Sequence, residues 1–346
     1  MKTAVVILNW NTRDYLAKFL PGVVSSLEGL DAEVIVADSG STDGSMEMMA
    51  GAFPSVRTIP LGANYGFTGG YNRALAQVED AAEYYVLLNS DIEVPRGWLE
   101  PLVAWMDSHP GCGACGPKLH SWYDRGRFEY AGAAGGLMDR FGYPFCRGRV
   151  LDMLEEDRGQ YDSPADVLWI TGACLMVRSS LWKELGGLDD RFFAHMEEID
   201  LCWRAQLRGW KVTVVPESVV YHIGGGTLPK ESPFKLKLNY RNNLLLLENN
   251  LALTFAAGGL SRPERRARRL IRERMLLDGL SALVYLLGFS PKRFLSVLNA
   301  HREYRTLRRK VSREEILSQK KVTVKGIDTR KMIIFAKILR RHEDNN

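Results

Sequence analysis

The chain has 346 residues, with 46% hydrophobic and 25% charged side chains. These fractions belong to an ordinary globular protein and exclude collagenous, mucin-like and wholly disordered classes. The formal net charge of +5 hides a division: residues 1–230 hold 20 Lys+Arg against 30 Asp+Glu (net −10), and residues 231–346 hold 26 against 11 (net +15).

Such asymmetry points to two parts that meet different partners. Residues 1–230 form the acidic part, and 231–346 read as a basic helical region. That region faces anionic lipid, or it is a solvated appendage lying on the acidic part. Five cysteines, an odd number, make no disulfide framework and suit a reducing, cytoplasmic setting. Ala4 to Leu8 is too short an apolar run for a signal peptide and reads as a strand. No stretch reaches about 18 uninterrupted apolar residues, the length a membrane-spanning helix needs.

The first 120 residues alternate strand and helix signals. Ala4 to Leu8 is a short buried run, and Asp14 to Leu27 has the helical spacing Tyr15, Phe19, Val23, Leu27. Val34 to Ala37 is a second strand, followed by the loop Asp38 to Ser45 and a helix from Met46. Val56 to Leu61 is a third strand, Gly69 to Val78 a helix and Tyr84 to Leu88 a fourth strand. Strands separated by short helices predict an α/β fold, a mostly parallel sheet with helices on both faces and ligand-binding loops along one edge.

From Gly111 to Ala165 the periodicity weakens, as in long functional loops or a small antiparallel insert. Order returns with a strand over Val167 to Val177 and a short helix over Ser179 to Leu185. A helix over Glu198 to Arg208 and a strand over Lys211 to Pro216 follow. After Pro233 the pattern is helical and basic to the end, with breaks at Gly258-Gly259 and Ser290-Pro291.

Chemistry-bearing residues gather at the predicted strand ends. Asn89-Ser90-Asp91 follows the fourth strand, where one carboxylate beside small polar partners can hold Mg²⁺ or Mn²⁺, whose shell is completed by water and substrate phosphates. An Asx turn leaving the strand is the plainer reading. Asp38 has the same address one strand earlier, suited to a nucleobase or ribose, although its loop also serves simple helix capping. His195-Met196-Glu197-Glu198-Ile199-Asp200 packs three carboxylates into four positions. On a helix Glu197 and Asp200 share a face while Glu198 points elsewhere. Acidic residues in a first turn favour the helix dipole, and Glu198 in a cleft is a candidate general base. His222, ahead of Gly224-Gly225-Gly226, is either structural or placed where a phosphate or metal approaches the backbone.

Other patterns fail. There is no phosphate-binding G-x-x-x-x-G-K-[ST], and Gly66 to Gly70 lacks dinucleotide glycine spacing. Cys112-x-x-Cys115 has no second pair and reads as reduced cysteines rather than a zinc site.

Taken together these segments resemble family 2 glycosyltransferases of the GT-A fold. The resemblance rests on Val5 to Asn11, Val36 to Ser45, Asn64 through Asn72, Leu87 to Asp91, Thr171-Gly172-Ala173, Phe192 through Arg204 and Val220-Tyr221-His222. They stand in the family's order over residues 1–230, and the subgroup most resembled contains bacterial rhamnosyltransferase-like enzymes that build surface polysaccharides.

Carried over position by position, the resemblance implies that Asp38 contacts the donor's base. Leu8, Asn9, Asn11, Asn64, Gly66, Asn72, Asn89 and Ser90 would line the donor site. Asp91 matches the last carboxylate of the metal-binding D-x-D, whose first position here is Asn89. Glu198 matches the catalytic base, with Glu197 and Asp200 in the same acidic group, and His222 matches a metal- or diphosphate-binding histidine.

The implied reaction is inverting transfer from a nucleoside-diphosphate sugar to a hydroxyl of a glycan or lipid-linked glycan acceptor, with Mg²⁺ or Mn²⁺. A sugar-phosphate nucleotidyltransferase, which releases pyrophosphate and needs no Glu198 base, is one alternative. A non-catalytic sugar-nucleotide-binding protein is the other. Nucleic-acid binding is not expected, because the basic region carries no recognisable module.

Finally, Leu244 to Leu260 and Met275 to Phe289 are leucine-rich, and Arg262 to Arg274 between them carries seven arginines. Arg305 to Arg313 is a further basic cluster. This pattern predicts peripheral attachment at the inner face of the cytoplasmic membrane; packing on the catalytic part or a dimer seam is the competing expectation.

Overall fold

The computed structural model describes residues 1–224 and 232–333. Gly225 and Gly226 of the glycine triplet, and the end of the basic region beyond Ile333, lie outside the described residues.

Along the chain the elements are β1 (Thr3–Asn9), α1 (Arg13–Ser26), β2 (Ala32–Asp38), α2 (Ser45–Ala52), β3 (Arg57–Pro60), α3 (Gly66–Ala76), β4 (Tyr84–Leu88), β5 (Ile92–Glu93), α4 (Leu99–Ser108) and β6 (Cys112–Ser121). An insert follows with β7 (Gly136–Asp139), β8 (Pro144–Cys146), β9 (Arg149–Val150) and β10 (Met153–Leu154). Next come β11 (Ala165–Asp166), β12 (Cys174–Arg178), α5 (Ser179–Leu185), α6 (Glu197–Leu207) and β13 (Lys211–His222). The C-terminal region adds α7 (Pro233–Ala257), α8 (Pro263–Leu287), α9 (Pro291–Leu307), α10 (Arg313–Ser318) and β14 (Ile327–Asp328).

The main sheet has nine strands in the order β11-β13-β6-β12-β4-β1-β2-β3, with β5 on β13. β1 runs parallel to β2 and β4, and β2 parallel to β3, while β12 enters antiparallel between β4 and β6. Side chains alternate across the pleat. Val5 and Ile7 feed a core layer against α1 and α4, whereas Ala4 and Val6 feed a second layer against α3, α5 and α6. Burial on both faces explains why these strands read as continuous apolar runs.

Four expectations are corrected. Val167 to Val177 is not one strand: β12 occupies only Cys174–Arg178, and residues 167–173 form a connecting segment. The strand expected over Lys211 to Pro216 does not stop at the proline but runs to His222, because a register irregularity between Val214 and Val219 absorbs the residue that cannot donate to the ladder. α3 begins at Gly66, three residues earlier than its apolar spacing indicates. β6 (CGACGPKLHS) was not expected as a strand at all, since its composition is poor in β-branched residues.

The weakly periodic stretch does contain an antiparallel insert, and β14 joins it by pairing parallel to β7. Leu244 to Leu247 of α7 are fully buried in the same core as α6, so this leucine run is interior packing rather than an interfacial face. Arg274 is likewise buried, its Nε donating to Asp278 Oδ1 at 2.8 Å. Among the described residues no helix is long and apolar enough to cross a membrane.

Candidate functional site at the strand ends

The parallel directions of β1, β2 and β4 bring their C-terminal ends to one edge. There Asn9 sits opposite Asp38 in register, and its Nδ2 donates to Asp38 Oδ1 at 2.7 Å and to the hydroxyls of Ser41 and Ser45. Asp38 Oδ2 accepts from the backbone N–H groups of Gly40 and Ser41, both at 3.1 Å. Asn11, left-handed at φ 55°, accepts from Thr42 N at 2.8 Å through its Oδ1. The Asp38–Ser45 loop is thereby shaped from both sides, with Asp38 buried at its root.

Leu8 packs over Gly70, where a Cβ would fall 2.7 Å from its methyl carbon. Asn64 accepts from Gly66 N at 2.8 Å, starting α3. Gly66 has φ +71°, and a Cβ there would meet Phe193 O at 2.5 Å, so only glycine fits. Asn72 departs from the expected donor contact. Its Nδ2 donates to Leu188 O and Asp190 Oδ1, and its Oδ1 accepts from Leu188 N, so both ends of the amide brace the 188–190 segment.

Asn89 N donates to Ala173 O at 2.9 Å, which joins the Asn89-Ser90-Asp91 turn to the Thr171–Ala173 segment. Ser90 and Asp91 are both buried. The two-residue strand β5 pairs with β13 so that Ile92 lies opposite His222, and this register delivers Asp91 to the histidine. His222 Nε2 is 3.2 Å from Asp91 Oδ1, and His222 Nδ1 is 3.0 Å from Glu129 Oε2 but not aligned as a hydrogen bond. Burial opposes charge on both groups, yet the Asp91 carboxyl is held below its ordinary range by His222. The imidazole is pushed up to about 10 by Asp91 and Glu129.

Carboxylates on both sides of the buried ring make this a place that favours positive charge; a divalent cation held by Asp91 and His222 Nε2 would take the place of the ring's proton, and the O and N donors match Mn²⁺ or Mg²⁺. No cluster of three or more His, Cys, Asp or Glu side chains arranged around one point occurs among the described residues, so two protein ligands would leave the remaining positions to diphosphate and water. Cys112 and Cys115 are free and buried in β6, as expected of reduced cysteines.

Glu197 and Glu198 open α6, preceded by Phe193, His195 and Met196, all at positive φ. The Oε2 atoms of both glutamates are buried without partners. Burial pushes the Glu198 carboxyl up to about 7, and burial together with the neighbouring Glu198 pushes Glu197 well above its ordinary value. A Cβ on Gly172 would fall 3.6 Å from Glu198 Cβ, so the Thr171–Ala173 segment lies against the start of α6.

Asp200, expected among the catalytic carboxylates, is not free. Fully buried, it accepts from Arg204 Nε at 2.6 Å, Asn249 Nδ2 at 3.0 Å and Asn250 Nδ2 at 2.8 Å, and so fastens α6 to α7. Glu129, Arg241 and Asn242 were missed. Glu129 sits in an aperiodic loop with no sequence signal. The asparagines of α7 did carry one: Asn is a poor helix former, and four of them amid leucines (242, 243, 249 and 250) ask for partners outside the helix.

The profile of glycosyl transferase family 2 matches residues 4–183. An N-acetylglucosaminyl-diphospho-decaprenol L-rhamnosyltransferase of Mycobacterium tuberculosis is 28% identical over 256 residues, covering 70% of this chain and 83% of the relative. Rhamnosyltransferase WbbL of Escherichia coli is 23% identical over 225 residues, covering 63% and 82%. Among solved structures, GalNAc-T7 with UDP, GalNAc and Mn²⁺ superposes with a TM-score of 0.55 at 17% identity, over 75% of this chain and 50% of that one. The mannosyltransferase PcManGT from Pyrobaculum calidifontis, in complex with GDP-Man and Mn²⁺, gives 0.50 at 16%, over 88% and 75%. The sheet order and the acidic strand ends thus agree with a profile that spans more than half of the chain, which belongs to glycosyl transferase family 2 and is a rhamnosyltransferase-like glycosyltransferase of GT-A fold.

Proposed function

We propose that this glycosyltransferase catalyses inverting transfer of a hexosyl or deoxyhexosyl group from a nucleoside-diphosphate sugar to a hydroxyl of a glycan or lipid-linked glycan, in assembly of a bacterial surface polysaccharide. The observation that carries this reading is Glu198, whose buried Oε2 has no partner and whose carboxyl is pushed up to about 7, the range a general base needs. Glu198 takes the acceptor hydroxyl proton, the acceptor oxygen bonds to the anomeric carbon, and the bond to the diphosphate oxygen breaks with its electron pair leaving on the nucleoside diphosphate. Attack opposite the leaving group inverts the anomeric configuration.

Asp38, Asn9, Asn11 and the Asp38–Ser45 loop serve the nucleoside, with Leu8, Asn64, Gly66, Asn89 and Ser90 along the donor. Asp91 and His222 would hold Mg²⁺ or Mn²⁺, which when bound offsets the charge growing on the diphosphate. Glu129 lies behind His222, its Oε2 3.0 Å from Nδ1, where its charge favours the ring's turning Nε2 toward Asp91. Burial and the neighbouring Glu198 raise the Glu197 carboxyl well above its ordinary value, so of the pair Glu198 is the one proposed to act as base.

Acceptor chemistry is drawn from the relative named for N-acetylglucosaminyl-diphospho-decaprenol. It pairs with a surface of the C-terminal helices. One stripe of α8 carries exposed Arg265, Arg269 and Arg272, then exposed Leu276, Leu280, Leu283 and Leu287. The stripe ends at Phe289, 93% exposed, with exposed Leu295 and Leu298 on α9 beyond it. An apolar tip backed by arginines fits the headgroup boundary of an anionic leaflet, each basic residue contributing about 1 kcal/mol. On this reading the division near residue 230 separates partners, donor on one side and membrane on the other, and the enzyme works peripherally on the inner face of the cytoplasmic membrane.

The test is incubation with a panel of nucleoside-diphosphate sugars, divalent metal and a lipid-linked acceptor, following nucleoside diphosphate release and labelled lipid. Pyrophosphate release would point to a nucleotidyltransferase, and silence across the panel to a binding protein.

A further inference from the structure

The segment that delivers Glu198 is strained. Phe193 (φ 65°, ψ −59°) is the centre of a tight turn closed by Ala194 N donating to Phe192 O at 2.8 Å, and His195 and Met196 follow at φ 72° and 73°. None is glycine, and such a run holds only where its surroundings over-determine it.

The source of that constraint lies on α7, in the C-terminal region. The Nδ2 of fully buried Asn242 is within hydrogen-bond distance of three carbonyl oxygens of the turn: Phe192 at 2.9 Å, Ala194 at 2.8 Å and His195 at 2.7 Å. Two amide hydrogens serve three acceptors, so one is shared. Arg241 Nη2 donates to Phe192 O at 2.7 Å and Arg191 O at 3.2 Å, and its Nε donates to Asn242 Oδ1 at 2.8 Å, fixing the amide's orientation. Arg241 Nη1 is anchored in turn on Glu303 of α9 at 3.0 Å. The remaining carbonyl, Phe193 O, accepts from Thr68 N of α3 at 3.2 Å. Every carbonyl from Arg191 to His195 therefore has a donor outside the turn.

We propose that Asn242, oriented by Arg241, is a positioning residue for Glu198, so that a helix of the C-terminal region sets the placement of the catalytic base. Helix packing alone would need no such arrangement: the apolar face of α7 is already buried through Leu244 to Leu247. The amide acts on Phe192, Ala194 and His195, within five residues of the start of α6, where a shift of the first turn moves the carboxyl directly. Misplacement of a reacting group by about 1 Å is enough to cost roughly 10²-fold in rate.

This inference rests on Glu198 as the base, and a double-mutant cycle in the full-length chain separates the two. Asn242→Ala is expected to lower kcat about 10²-fold while donor KM and nucleoside diphosphate affinity stay within about twofold. In a Glu198→Gln background the same substitution is expected to add less than about twofold, because the group it positions is gone. Arg241→Lys, which keeps a charge near Glu303 but loses the fork, should show the same pattern at smaller size and carries the test if Asn242→Ala does not fold. Equal losses in both backgrounds, or a loss confined to donor KM, would overturn the positioning role while leaving the base intact. Wild-type turnover by Glu198→Gln would overturn both.

Discussion

His222 Nε2 stands 3.2 Å from Asp91 Oδ1 because β5 and β13 place Ile92 opposite His222. One residue of register brings together two side chains 131 positions apart (222 − 91), at the edge where β1, β2 and β4 also end. Asp91→Asn should therefore weaken nucleoside diphosphate binding about tenfold or more in Mn²⁺ or Mg²⁺, equivalent to ~1.4 kcal/mol, and leave it unchanged in EDTA. Calorimetry in the two buffers measures this. Wild-type affinity that is the same in metal and in EDTA would contradict a metal at this pair.

Catalysis should follow the ionisation of Glu198. A base works deprotonated, so kcat should fall as pH drops through about 7. Above that pH this ionisation should leave kcat on a plateau. A kcat constant from pH 8 down to pH 5 would place the base elsewhere.

Glutamates 197 and 198 also bear on stability. A carboxyl with a higher pKa folded than unfolded stabilises the native state below its unfolded value, and that contribution is lost as pH rises through the folded value. For Glu198 the window runs from 4.5 to about 7. Burial and Glu198 raise Glu197 in the same direction, so Glu197→Gln should raise Tm at pH 8 and leave it nearly unchanged at pH 4. Thermal melts at the two pH values decide it; a lower Tm at pH 8 would mean that Glu197 is needed ionised.

Asp200→Ala should act on folding instead of chemistry. It strips Arg204, Asn249 and Asn250 of an acceptor inside the α6–α7 contact. Breaking such a buried pair costs about 3 kcal/mol, visible as a lower denaturant midpoint, with kcat per folded molecule retained.

Much of the sheet was legible because β1, β2 and β4 are short apolar runs ending in polar turns; Asp38 and Asp91 stand at those strand ends, and Glu198 in the acidic first turn of α6. β6 was not, since glycine and cysteine give no strand signal and its burial comes from neighbours on both sides. Pro216 misled in the opposite way, because an irregular register can carry a proline through a strand. The stretch Leu244 to Leu260 was read through its leucines, toward a membrane surface, and not through the buried asparagines of α7. Their partners, the 191–196 carbonyls and Asp200, are some 50 residues away in sequence, and no local pattern announces them.

The exposed stripe of α8 yields a prediction with a clean control. Leu280→Glu and Leu287→Glu, at exposed positions with no core role, should abolish flotation with anionic vesicles while leaving Tm and donor binding unchanged. Undiminished flotation of the double variant would assign this face to contact between subunits or to solvent.

The central claim is that Glu198 activates an acceptor hydroxyl for glycosyl transfer, and single-turnover transfer by Glu198→Gln tests it most directly. With labelled nucleoside-diphosphate sugar bound at saturation and acceptor supplied in vesicles, the wild type should form labelled lipid. The variant should bind donor with unchanged affinity yet transfer about 10² times more slowly or worse. Transfer by Glu198→Gln at the wild-type rate would contradict the account.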